Sequence, residues 1–217
     1  MKADAAAAEK LRRLGFTTVP VTAVGDRAVY GFDRKALREL VGLSPDPTVP
    51  LSSDELLEKY RLIFGAAKRA IMQIPQDKLD WETPGRARTL RQLTWHIFDR
   101  ADVFASLVDG GEFTEGMIDD YMTRSNMYRT APDIAGYGEE VLARIEVLLT
   151  TRRDALHRPV TAYFGTSTTE ELLNRALSMA AFRLKGTYRY LEMLGIEPDA
   201  PLGADDFSGI AIPSGNP

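Results

Sequence analysis

Two histidines and no cysteine narrow the nucleophilic and metal-binding chemistry open to this 217-residue chain. Without cysteine there is no thiolate nucleophile, no disulfide and no Cys-based metal site, so any thiol chemistry must use a thiol from another molecule. His96 stands in "TLRQLTWHIFDRADVF", beside Ile97 and three residues after Leu93, at the border of an apolar stripe. It reads either as a boundary histidine paired with Asp99 or Arg100 one turn on, or as a site residue turned into a helical bundle. His157 follows "TTRRDAL" at the end of a helical pattern, where a cation complements the helix dipole, and is read as structural. Arg183 falls within a stripe of Leu172, Ala176, Met179, Ala180, Thr187, Tyr190, Leu191 and Leu194. A guanidinium among core-facing residues either reaches water past Ala180 and Gly186, or lines a pocket that holds an anion or carboxylate ligand. Asp119 and Asp120 are adjacent, and adjacent helical positions do not face each other, so they read as a solvated loop face. No Gly-rich phosphate loop, interpretable Ser-His-Asp set or HExxH zinc motif occurs.

The elements that must position these residues fall into two unlike regions, joined by "GLSPDPTVPLSS" at 42–53, whose prolines disfavour helix. The expected domains are residues 1–43, a linker over 44–53, a helical region over 54–198 and an irregular tail over 199–217. Upstream, the spacing predicts a helix from Ala5 to Leu14 closed by Gly15, strands Thr17 to Val24 and Arg27 to Tyr30 around Gly25-Asp26, and a helix Arg34 to Val41 capped by Asp33. Downstream, four long helices are expected. Ser52 with Glu55 opens the first, with Leu56, Tyr60, Ile63, Ala67, Ile71 and Ile74 inward; Thr89 with Gln92 opens the second, with Leu90, Leu93, Ile97, Phe104 and Leu107 inward. Asp133 caps the third, carrying Ile134, Tyr137, Val141, Ile145 and Leu148, and Thr168 with Glu171 opens the fourth, which runs to Leu194. Such helices make a four-helix bundle. The long connection "EFTEGMIDDYMTRSNMYRTA" is expected to carry a short helix or cover the bundle's mouth, and the tail to pack through Phe207 and Ile212 or stay mobile.

A formal net charge of -4 supplies no excess of cations for phosphates, so nucleic acid is not an expected partner. The N-terminus lacks a signal peptide's apolar core and no apolar run approaches the ~20 residues that span a bilayer. The expected location is the cytoplasm, without membrane association.

From about Ser52 to Pro198 the chain resembles the DinB-like four-helix-bundle superfamily, which includes the mycothiol-dependent maleylpyruvate isomerases. The residues that carry the likeness are "LDWETPGRARTLRQLTWHIFDRADVF" and "RLKGTYRYLEMLGIEP". That family holds a divalent metal by one histidine on the second helix and two at HxxxH spacing on the last. His96 matches the first position, but Met179 and Arg183 stand at the other two, so the resemblance implies that the metal site is lost and suggests Arg183 as the cationic replacement. The stretch from about Ala5 to Leu43 is similar to the second half of a glutaredoxin, without the half that carries CxxC. Its "TVP" matches the cis-proline segment that pairs with the cysteinyl part of glutathione, and its "GFD" the turn that meets the γ-glutamyl end. By resemblance, Val19, Pro20, Gly31, Phe32 and Asp33 are candidates for holding glutathione or a similar low-molecular-weight thiol. The half-sheet would expose an edge, to be covered by the bundle, the tail or a second copy in a homodimer.

The expected fold class is therefore α+β: a truncated glutaredoxin-like helix-hairpin-helix segment before a DinB-like bundle. Two functions follow from the resemblance. One is a thiol-cosubstrate-dependent transferase or isomerase, with His96 as general base or orienting group and Arg183 as anion clamp. The other is a non-catalytic protein that binds a small molecule or dimerises and keeps the family's cavity.

Overall fold

The computed structural model describes residues 5–16, 21–30, 34–43, 50–84, 88–114, 116–119 and 121–213, and shows a mixed α+β chain, mostly helical with two small sheets. Among the described residues no helix is long and apolar enough to cross a membrane.

Four long helices, α3 (Ser53–Met72), α4 (Leu90–Ser106), α7 (Ala131–Thr151) and α8 (Thr169–Met193), enclose one core. Each begins at a reciprocal capping box, in which a Ser or Thr side chain and the side chain three residues on satisfy each other's backbone N–H groups. For α3 the partners are Ser52 and Glu55, for α4 Thr89 and Gln92, and for α8 Thr168 and Glu171, as the sequence predicts. In α7 the cap is Thr130, one turn earlier than expected. Asp133 is the third residue of that helix and accepts from the Thr130 N–H at 2.9 Å.

The expected inward residues of α3, α4 and α7 are buried. α3 and α4 each pack against both α7 and α8, so α3 lies diagonally across from α4. At one such contact Phe98 rests on the backbone of α7: a Cβ on Gly138 would lie 2.6 Å from its ring. The α8 stripe departs from expectation. Leu173, Leu177, Ala181, Leu184 and Tyr188 join its buried face, while Met179, Arg183 and Leu194 are only half-buried. Because α8 contacts two helices, its apolar face is wider than a single stripe and its centre shifts away from Arg183.

The connection between α4 and α7 contains β3 (Glu112–Phe113) and the short helices α5 (Gly116–Asp119) and α6 (Tyr121–Ser125). β3 pairs in parallel with β4 (Pro159–Ala162), which pairs antiparallel with β5 (Gly165–Thr168). This hairpin was not among the sequence expectations, although "PVTA" and "GTST" are rich in β-branched residues. His157 does not stand at the expected helix end, because α7 stops at Thr151 and a 3-10 turn over Arg153–Ala155 follows it. The side chain is 70% exposed and its Nδ1 lies 3.4 Å from Glu170 Oε2 at the start of α8.

Upstream, α1 (Ala5–Arg13), β1 (Val21–Val24), β2 (Arg27–Tyr30) and α2 (Arg34–Leu40) follow the expected order. Gly25 takes φ +62° in the tight turn between the strands. The expected beginning of β1 at Thr17 and the Asp33 cap lie outside the described residues. The tail packs on α3 and α8: Phe207 is buried, Lys185 lies over its ring, Ile212 packs on the core, and Lys59 Nζ donates to the Asp206 carbonyl at 2.7 Å.

Candidate functional site

α4 carries Trp95, His96, Asp99, Arg100 and Asp102 within two turns, all at most 9% exposed. The helical period puts Asp99 one turn after His96, and Nδ1 of His96 lies 3.1 Å from Asp99 Oδ2. Burial first, then the charge of Arg183, push the His96 imidazole down to about 3, against the upward pull of Asp99. The ring is therefore neutral near pH 7. With a carboxylate as partner, Nδ1 carries the proton and donates it, which puts the lone pair on Nε2.

Arg183 approaches from α8. It is half-buried, its Nη1 donates to the Met179 carbonyl at 3.3 Å, and its charge acts on the His96 ring. Arg100 Nη2 lies 3.4 Å from Asp99 Oδ2, with its guanidinium 5.5 Å from the Phe113 ring. On the other side, α6 supplies Arg124, whose Nη1 donates to Asp99 Oδ1 at 3.2 Å and whose Nη2 lies 3.5 Å from Asp102 Oδ2. α7 supplies Tyr137, whose hydroxyl donates to Asp102 Oδ2 at 2.7 Å, and Arg144, 2.9 Å from Asp102 Oδ1. Burial, then Asp102's charge, raise the Tyr137 phenol far above its ordinary value, so it stays protonated as a donor. Four guanidiniums thus surround two carboxylates and a neutral imidazole, giving the cluster an excess of positive charge. Arg144 and Arg124 are 53% and 33% exposed, so water screens their share of that excess; at the buried His96, near Arg100 and Arg183, it favours an anion.

The structure brings His96 and Arg183, the two candidate catalytic residues, to one place. The candidate thiol-holding residues Val19, Pro20, Gly31, Phe32 and Asp33 lie outside the described residues, as do the side chains of Asp119 and Asp120. Sequence reasoning proposed Asp99 as a partner of His96 but missed Asp102, Arg124, Tyr137 and Arg144. The i, i+3 repeat His96, Asp99, Asp102 inside an apolar helix was the available signal for Asp102. Nothing local marks Arg124 in "IDDYMTRSNMYR", because its role depends on how that connection folds back on α4.

The donor set does not fit a divalent metal in the manner the resemblance describes. Of the three positions only His96 offers a ligand. The Met179 thioether is a poor ligand for hard or borderline cations, and the Arg183 guanidinium cannot lose its proton to bind one. Among the described residues no group of three or more His, Cys, Asp or Glu side chains could hold a metal ion. No protein-family model, no curated protein and no solved structure matches this chain.

Proposed function

We propose that this chain is a DinB-like bundle that binds a small anionic molecule between α4 and α8, with Arg183 supplying the positive charge that a metal supplies in that superfamily. The observation that carries the reading is a half-buried guanidinium on α8 whose charge acts on a buried, neutral imidazole held by Asp99 on the helix packed against it. A guanidinium beside a histidine lowers that ring's proton affinity, an arrangement that serves an anion that needs a donor on one side and an acceptor on the other. A small thiol such as glutathione, which carries carboxylates, is one ligand of this class.

The test is thermal unfolding with millimolar glutathione, with S-methylglutathione and with phosphate. A ligand at about a hundredfold its dissociation constant stabilises the native state by about 2.7 kcal/mol, a rise of about 5–10 °C for a domain of this size. Binding predicts that at least one of these anions raises the midpoint and that Arg183→Gln removes the rise. No rise with any of them, or a rise that survives Arg183→Gln, overturns the reading. One zinc or nickel tightly bound per chain would overturn the replacement of the metal by Arg183.

A second reading, a thiol-dependent transferase or isomerase, draws on the His96–Asp99 contact, since a carboxylate that fixes an imidazole's tautomer also orients it for proton transfer. The depressed proton affinity of His96 weighs against it, because a base that protonates near 3 has little drive to take a proton at neutral pH. Stabilisation by glutathione but not by S-methylglutathione would favour this second reading.

A further inference from the structure

α6 has five residues, too few to persist as a helix by itself, yet it sends one side chain into the core of the network. Arg124 lies with its guanidinium carbon 5.4 Å from the Trp95 ring centroid, one nitrogen 3.2 Å from Asp99 and the other 3.5 Å from Asp102. Trp95, Asp99 and Asp102 are spaced i, i+4 and i+7, so α4 presents one indole and two carboxylates along a single face. This face is made for a planar cation: a π surface to stack on and two carboxylate oxygens for the forked nitrogens.

The two carboxylates depend on that cation to different degrees. Asp102 has other partners on both oxygens, Arg144 at 2.9 Å and Tyr137 at 2.7 Å. Asp99, only 1% exposed, places His96 and Arg100 on Oδ2 and Arg124 on Oδ1. A buried carboxylate oxygen that loses its charged donor is costly, and the side chain turns to find another. Since Oδ2 of the same carboxylate holds Nδ1 of His96, any such turn moves the acceptor that fixes the imidazole.

We infer that Arg124 is a positioning residue: its guanidinium, carried in by α6, fills a guanidinium cage on α4 and, through Asp99, fixes the tautomer and orientation of His96. Docking of α6 and presentation of His96 Nε2 are then a single coupled event, and the cage recognises guanidinium chemistry whether it arrives on this side chain or free in solution. The inference goes beyond the anion-binding reading and uses none of its ligands, so each can fail without the other.

The test uses the full chain with Arg124→Ala. Long-range proton–nitrogen NMR distinguishes imidazole tautomers, and with two histidines in the chain, one of them the exposed His157, the His96 signals are readily assigned. Wild type is expected to show the Nδ1–H form at His96, and Arg124→Ala a mixture of tautomers with a lowered unfolding midpoint. Guanidinium chloride at roughly 10–50 mM, far below the molar range in which it denatures, is expected to restore the wild-type pattern and at least half of the lost midpoint in a saturable manner. Equal concentrations of urea, which has the shape without the charge, or of sodium chloride, are expected to do neither. If Arg124→Ala does not fold, Arg124→Lys replaces it, and is expected to fold with the tautomer mixture because an ammonium lacks the planar fork that stacks on Trp95 while presenting a nitrogen to Asp99 Oδ1. An unchanged His96 tautomer in the variant that folds, or a guanidinium response in Arg124→Ala no larger than that to sodium chloride, overturns the inference.

Discussion

Acidification should destabilise this protein through His96 at pH values above the ordinary carboxylate range. The ring is 5% exposed and takes a proton only near 3 in the folded chain, against about 6.5 for an unfolded histidine. The folded value lies below the unfolded one, so the unfolded state binds the extra proton first. The neutral ring's contribution to stability is complete above about 6.5 and is lost as the pH falls toward 3. Between pH of about 7.5 and 5 the unfolded histidine gains nearly a whole proton and the folded one almost none, so the loss is about 2 kcal/mol. Urea unfolding of wild type and His96→Gln across this range isolates the effect, because His157 and every carboxylate are common to both proteins. The wild-type stability should fall by about 2 kcal/mol more than that of His96→Gln, whatever their difference at neutral pH. Parallel pH profiles would show that His96 is protonated as readily in the folded chain as in the unfolded one, and the neutral-imidazole site would be refuted.

Further expectations concern the frame of the site. Gly136 and Gly138 both lie within α7, but a Cβ at Gly136 meets nothing within 4 Å whereas one at Gly138 runs into Phe98. Gly136→Ala should stabilise by about 0.5–1 kcal/mol from helix propensity, and Gly138→Val should destabilise by about 1–3 kcal/mol from overpacking, both read from denaturant midpoints. Thr89→Ala removes one half of the α4 capping box and should lower stability by about 1 kcal/mol, with Thr89→Ser retaining most of it. Tyr137→Phe leaves Asp102 without its hydroxyl donor and should cost about 1–3 kcal/mol. Because the Tyr137 phenol is raised above its unfolded value, stability should also fall as the pH climbs past about 10, and less steeply in Tyr137→Phe, as alkaline unfolding followed by circular dichroism would show.

The sequence by itself determined the four long helices, because three announce their start with a capping residue and its partner three positions on, the remaining one, α7, offers a capping residue alone, and all repeat apolar residues at helical spacing. These are short-range signals, complete within one or two turns, and the structure realises them at Ser52, Thr89 and Thr168. For α7 the expected cap is Asp133 and the structure uses Thr130; both residue types favour caps and only the backbone conformation separates them. The hairpin over 159–168 went unrecognised for a different reason: it is four residues a side, and its support comes from pairing with β3 and from Phe113 packing on Tyr163 and Phe164 of its turn, a partner strand far away in sequence.

Within the site, the contact between His96 and Asp99 was legible because it spans one turn of one helix. That the charge of Arg183 acts on His96 was suggested in the sequence only by a resemblance in register, and the half-buried setting of Arg183 was decided by how α8 divides its apolar face between two neighbours. Arg124, Tyr137 and Arg144 joined the network only when α6 and α7 folded against α4. Charge on a side chain is visible in a sequence, but whether water or a buried carboxylate answers it depends on distant segments meeting. Tertiary structure therefore decided the electrostatics of the site: a histidine kept neutral, two carboxylates kept dry, and a surplus of guanidiniums around them.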